Sequence, residues 1–283
     1  MRSALRLMLV AAALLWAGPG AAQEHEHQHE TPRPSPSESG PSQSELEHVP
    51  PEPPSTDMGH MSYETMAELM TMDDTAPLGK VLIDQLDWRA ADGADVLAWD
   101  AQAWYGKDYD KLRLKTEGAR AGGTTEHARV ELLWDRIISR WWSTQLGARH
   151  DFGESPSRDW LAAGVQGLAP WFFEIEATAY FGDAGRTAAR FKAEYELFFT
   201  QRLILQPELE LNAYGKDDPA NRIMSGLSDA QLALRLRYEI RREIAPYIGV
   251  AWVRRFGETA DLVRASGEDA TDLQALAGIR VWF

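Results

Sequence analysis

From about residue 80 to the end, the chain divides into runs of ten or so residues in which apolar and polar side chains alternate, separated by clusters of Gly, Asp, Ser and Pro. A period of two marks strands with one apolar and one polar face. In residues 125–135, Ala128, Val130, Leu132 and Trp134 share one face, and Arg129, Glu131 and Asp135 share the other. Residues 190–199 set Phe191, Ala193, Tyr195, Leu197 and Phe199 against Arg190, Lys192, Glu194 and Glu196. Further on, Leu209, Leu211 and Ala213 oppose Glu208, Glu210 and Asn212, while Leu232, Leu234, Leu236 and Tyr238 oppose Arg235, Arg237 and Glu239.

Alternation alone fits a soluble sandwich equally well. Three features turn the reading towards a membrane. The strands run to roughly 10–13 residues, against about 5–6 in globular proteins, which suits a tilted crossing of the hydrocarbon layer. Trp88, Tyr105, Trp134, Trp142, Trp160 and Tyr247 fall near the ends of apolar faces, where interfacial aromatic girdles belong. Connections alternate in length: tight near 106–108, 136–139, 168–170, 200–202 and 241–243, longer near 92–95, 118–124, 153–157, 182–186, 215–227 and 257–270. Short periplasmic turns and long external loops would produce that rhythm. The expectation is an all-β fold: a transmembrane, antiparallel, up-and-down β-barrel of about 12 strands over residues 77–283, with both termini on the periplasmic side. Its inward faces are crowded with charged and large side chains, so the lumen is expected to be largely filled. The last strand aligns Leu273, Ala275, Ala277, Ile279, Val281 and Phe283 on one face, and the aromatic ending resembles the assembly signal of outer-membrane barrels.

The first residues have a different texture. Arg2 and Arg6 precede an apolar run over 7–16, and Gly20, Ala21 and Ala22 follow. This is the layout of a secretory signal peptide, residues 1–22, and the run is too short to span a bilayer as a helix. Its removal takes the formal charge from -14 to about -16. Without clustered Lys and Arg to face phosphates, nucleic acid is excluded as a partner. The chain has no cysteine, which removes disulfides and thiolate metal sites. Residues 23–76 are rich in Pro, Glu, Ser and His and poor in aromatics, so they cannot bury enough surface to offset ordering and read as a disordered arm. Met66, Leu69 and Met70 fall at helical spacing within 62–72, which predicts at most a short isolated helix.

That arm carries the chemistry. Five of the seven histidines (His25, His27, His29, His48, His60) and five of the eight methionines (Met58, Met61, Met66, Met70, Met72) lie in it. Thioether sulfur suits Cu(I) and imidazole suits Cu(II), so the two together, without thiolate, point to copper. Met58-Gly59-His60-Met61 is the sharpest element: three donors within four residues, around a glycine that lets the backbone fold about an ion. The expected ligands are Met58, His60, Met61, Met66, Met70, Met72, His25, His27 and His29. Cleavage after Ala22 would also set His25 third from a free amine, an arrangement suited to square-planar Cu(II). The plainer alternative is a low-complexity tail whose histidines only solubilise it, with Met66, Met70 and Met72 forming an apolar helix face. In the barrel, His127, His150 and Met224 lie near expected external loops and read first as rim residues. The inward carboxylates Glu131, Glu174, Glu176, Glu208 and Glu210 either line a cation path or pair with Arg129, Arg190, Arg235 and Arg237, and pairing is the favoured reading.

The whole layout resembles the copper resistance protein B family. The residues that carry the resemblance are Met58-Gly59-His60-Met61, the opening strand Lys80-Val81-Leu82-Ile83-Asp84-Gln85-Leu86-Asp87-Trp88, the stretch Trp99-Asp100-Ala101-Gln102-Ala103-Trp104-Tyr105-Gly106, and the segments 208–214 and 239–247. The resemblance implies an outer-membrane protein that binds copper and contributes to copper resistance by sequestration or export of periplasmic copper. It also implies a periplasmic copper carrier as a partner, beside copper ions and outer-membrane lipid. The rivals are a solute channel without copper specificity and a barrel hydrolase. Hydrolysis requires a serine within reach of a histidine, and Ser143 falls on the opposite face from His150, so the chain is not expected to be an enzyme.

Overall fold

A computed structural model describes residues 76–90 and 95–283. The expected signal peptide, the arm with its helix over 62–72, and the candidate ligands His25, His27, His29, Met58, His60, Met61, Met66, Met70 and Met72 lie outside the described residues. The alternating segments form β1 (Leu78–Ala90), β2 (Asp95–Gly106), β3 (Asp110–Ala121), β4 (Thr124–Ile137), β5 (Trp142–Gly153), β6 (Arg158–Ala169), β7 (Phe173–Gly182), β8 (Thr187–Glu194), β9 (Leu197–Phe198), β10 (Leu203–Tyr214), β11 (Gly226–Tyr238), β12 (Ile244–Arg255) and β13 (Thr271–Trp282). Every neighbouring pair is antiparallel, and β1 pairs with β13 while β10 pairs with β11, which closes the sheet on itself. Closure leaves no exposed edge of unpaired N–H and C=O groups, a requirement for any sheet in hydrocarbon.

β8 and β9 belong to one stave. Both pair with β10 in a single register, Glu194 opposite Glu208 and Leu197 opposite Leu205. Tyr195 donates its N–H to the Pro207 carbonyl at 3.1 Å, and Pro207 has no N–H to return. The ladder therefore breaks at 195–196, and the wall counts twelve strands, as the alternation predicts. At the seam with β1, the Val81 and Phe283 backbones exchange hydrogen bonds of 3.0 and 2.9 Å.

The barrel is inside out relative to a soluble domain. Leu112, Leu132, Leu146, Leu161, Phe181, Leu234 and Ile248 face outward and are exposed, whereas Asp87, Glu131, Glu208, Arg235 and Arg237 are buried within. So broad an apolar exterior is stable only in contact with lipid. Tyr105, Tyr109, Trp134, Trp141, Trp171 and Phe172 mark one rim on the outer surface, and Trp88, Phe152, Phe181 and Trp252 lie towards the other. Two expected girdle residues turn inward instead: Trp160 donates Nε1–H to Asp151 at 2.8 Å, and the Tyr247 hydroxyl donates to Asp87 at 3.2 Å. Their polar tips find buried carboxylates, which lipid cannot offer.

The expected rhythm of connections holds only at 215–225 and 256–270: residues 154–157 and 183–186 are four-residue connections, no longer than the turns 138–141, 199–202 and 239–243. Residues 118–124 are not a long loop: β3 continues to Ala121 and β4 begins at Thr124, leaving the two-residue turn Gly122-Gly123 with φ of 57° and 90°. Consecutive glycines reach these left-handed angles without a Cβ penalty, which permits the tightest hairpin. The two longest connections among the described residues are 215–225 and 256–270. The second contains a helix, α1 (Gly257–Ala265), which buries Thr259, Ala260 and Val263. The Thr259 hydroxyl accepts the Met224 N–H at 3.0 Å, and Arg222 donates to Ser266 and Glu268 at 2.9 and 2.8 Å, so the two segments are tied together.

Candidate functional site

Strand parity turns every second position of β2, β3, β4, β7, β8 and β10 inward, and the charged residues among them meet in the lumen. Glu117 on β3 pairs with Arg129 on β4 and with Arg190 on β8, the latter at 2.8 Å. Arg190 also donates to both carboxylate oxygens of Glu210 on β10, at 2.9 and 2.7 Å. Lys115 on β3 reaches Glu176 on β7 at 2.7 Å. Lys192 on β8 lies 2.7 Å from Glu194, 3.3 Å from Glu208 and 3.4 Å from Asp100. In strand order, β2 and β8 are on opposite sides of the wall, so the Lys192–Asp100 contact crosses the full width of the barrel.

Charge pairing continues elsewhere in the interior. Arg235 and Glu208 pair at 3.0 Å with both side chains almost fully buried, and Gln85 bridges them. Arg237 pairs with Glu196, and Arg280 with Asp84. Small apolar clusters, Leu133 with Trp160, Ala162 and Tyr180, and Ala233 with Tyr247, Ala251 and Leu276, fill the gaps between charges. Of the inward carboxylates, Glu176, Glu208 and Glu210 pair with lysine or arginine, as the favoured reading has it, whereas Glu131 accepts from the Tyr180 hydroxyl and Glu174 from the Gln166 amide. Counterions at hydrogen-bond distance offset part of the cost of burying these charges.

A cavity of about 360 Å³ enters from the short-turn end. Its lining runs from Lys80 and Trp104, beside the turns, to Glu117 and Arg190, deeper along β3 and β8. Seven carboxylates and seven Lys or Arg side chains line it, so its walls carry no net charge. At its mouth Lys80 sits over the Trp282 ring and Lys111 over the Trp104 ring, at 4.8 and 4.6 Å.

The barrel candidates for metal binding are not brought together. His127 and His150 lie on β4 and β5, opposite Gly153 and Val130 respectively. His150 Nδ1 is 2.6 Å from Asp159 Oδ1 and its ring stacks on Phe152, both on the outer face. Met224 lies in the long connection tied to α1. Among the described residues, no group of three or more His, Asp or Glu side chains has a geometry that would hold a metal ion. Sequence reasoning identified the inward charges but missed the cross-wall partners, which depend on strand tilt, and it missed α1, whose only signal is the spacing of Thr259, Ala260 and Val263.

The family model described as copper resistance protein B precursor (CopB) matches residues 78–283. A copper resistance protein B homolog from Pseudomonas syringae pv. tomato is 44% identical over 243 residues, covering 86% of this chain and 81% of that protein. Copper resistance protein B from Escherichia coli is 42% identical over 233 residues, covering 82% and 79%. Among solved structures, the KdgM porin (12% identity, TM-score 0.47) covers 73% of this chain and 99% of its own. A NanC porin (13%, TM-score 0.49) covers 72% and 99%. A family model spanning the barrel and two relatives matched over most of their length agree, and the chain belongs to the copper resistance protein B family of outer-membrane β-barrels involved in copper resistance.

Proposed function

We propose that this protein captures periplasmic copper on its N-terminal arm and retains it at the inner surface of the outer membrane, with the barrel as the fixed mount. The observation that carries this reading is the donor set of the arm: Met58, His60 and Met61 within four residues, followed by Met66, Met70 and Met72 and preceded by His25, His27 and His29. Thioethers and imidazoles without thiolate favour copper over zinc, calcium or magnesium. The barrel supports retention over free passage, because the ion pairs from Lys192, Arg190 and Lys115 cross its lumen. β1 opens at Leu78 on the end that carries the short turns, which is the periplasmic end in barrels of this kind. A periplasmic copper carrier is the partner from which the arm receives its load.

Titration of the mature protein in detergent with Cu(I), Cu(II) and Zn(II), beside a variant lacking residues 23–75, tests the reading. Copper binding that exceeds zinc binding and disappears with the arm is the expected result. Equal binding of copper and zinc overturns the copper assignment, and copper binding that survives in the truncated barrel overturns the arm as its seat.

A further inference from the structure

We propose that the lumen is a path for small hydrated cations, gated by Lys192, whose ammonium occupies a cluster of three carboxylates as a tethered stand-in for the permeating ion. The inference does not rest on the copper reading and concerns a different part of the molecule.

Three observations carry it. The cavity from the short-turn end leads to Lys192 and Asp100, so solvent ions reach this layer from one side without any rearrangement of the wall. There Asp100, Glu194 and Glu208, from three different strands, place oxygens within 3.4 Å of a single nitrogen. Rings of carboxylates select cations in channels, and here the cation is supplied by the protein itself. Third, Glu131 Oε2 and Thr178 Oγ1 are buried without a hydrogen-bond partner, in side chains that are 2% and 4% exposed. Glu131 lines the cavity, and its other oxygen accepts the Tyr180 hydroxyl at 2.9 Å. A buried acceptor left without a donor costs about 1–3 kcal/mol, and a hydrated cation or its water supplies the missing donor or charge.

The geometry also says why Lys192 is the bolt. It belongs to β8, and its contact with Asp100 spans to the opposite wall, whereas its contact with Glu194 stays on its own strand. Loss of the long contact alone lets the ammonium fold back against β8 and frees the Asp100 carboxylate on the opposite wall. Arg190, held in two hydrogen bonds by Glu210, has no such freedom.

Planar-bilayer recording of the full mature chain under a KCl gradient tests the proposal, with heat-modifiable migration on gels certifying that each variant is a folded barrel. The wild type is expected to show low conductance. Lys192→Met is expected to raise it severalfold and to move the reversal potential towards that of potassium, because Asp100 and Glu194 lose their internal counterion. Asp100→Asn, a milder change that removes only the cross-wall contact, is expected to give a smaller increase and serves if Lys192→Met does not fold. A folded Lys192→Met or Asp100→Asn barrel that conducts no better than the wild type overturns the proposal. An opened Lys192→Met barrel that passes chloride as readily as potassium overturns it as well.

Discussion

Asp218, in the long connection between β10 and β11, shows how one side chain holds a loop. It accepts hydrogen bonds from Arg158 at 2.8 and 3.0 Å and from Asn221 at 2.8 Å. The hydrogen bonds from Arg158 hold its carboxyl below the ordinary carboxylate range, against the opposing effect of partial burial. A carboxylate with a lowered pKa contributes its stability above its unfolded value of about 3.9 and loses it as pH falls through the lower folded value. Protection of residues 215–225 from hydrogen exchange is therefore expected to be constant from pH 7 to pH 5. Asp218→Asn at neutral pH should cost about 1–3 kcal/mol of local stability, read as faster exchange in that segment alone. Equal exchange in the variant and the wild type would show that the clamp does not anchor the loop.

Inside the wall the same logic has a larger stake. Arg235 and Glu208 are each 2% exposed. Arg235→Met leaves a buried carboxylate short of one partner, and is expected to destabilise the barrel to urea by about 3–5 kcal/mol. The double variant with Glu208→Gln should recover part of that loss, because the stranded charge goes with its partner. A double variant no more stable than Arg235→Met would mean that packing, and not the uncompensated charge, dominates the site. Parity along β10 and β11 made the inward position of both residues legible in the sequence. Their specific pairing was not, since it follows from the register, in which Gln206–Arg235 and Glu208–Ala233 are cross-strand neighbours and Glu208 lies diagonal to Arg235. Nor was the pairing of Lys192 with Asp100, 92 residues apart and joined only by the width of the closed barrel.

Elements were legible to the extent that period and punctuation agreed. Residues 190–199 read as one strand and hold one register, and the break at 195–196 comes from Pro207 on the neighbouring strand, a cause that no reading of 190–199 alone contains. The β3–β4 hairpin was misread as a long loop because Gly122-Gly123 is surrounded by Ala, Arg and Thr, which blur the end of the alternation. Neither glycine would meet a neighbouring atom if a Cβ were added, so any substitution there is a test of backbone conformation alone. Gly122→Val, at φ 57°, is expected to cost about 1–2 kcal/mol and to lower the urea midpoint of the barrel, while Gly122→Asn, tolerant of left-handed angles, should cost less. The order reversed would show that the turn adopts another conformation in the membrane.

At the scale of the whole molecule, closure depends on a seam between the first and last strands, and Phe283 stands at its end. Its backbone exchanges two hydrogen bonds with Val81, yet its side chain is 73% exposed and packs little. Removal of Phe283 therefore subtracts one pair of ladder bonds from a wall whose β1–β13 register runs on to Ala90–Ala275. At about 0.5–1.5 kcal/mol for each net hydrogen bond, the loss to the folded barrel is modest. If the aromatic ending works as the assembly signal it resembles, the loss in the cell is of another size, because a signal acts on delivery and not on the folded state. A chain without Phe283 is expected to refold in detergent to a heat-modifiable barrel with a urea midpoint close to the full chain's, while its level in outer-membrane fractions falls severalfold. Equal levels in the membrane would remove the signal role from Phe283. Failure to refold in detergent would instead make the seam itself the reason for the residue, with the two hydrogen bonds to Val81 holding the last turn of the wall in place.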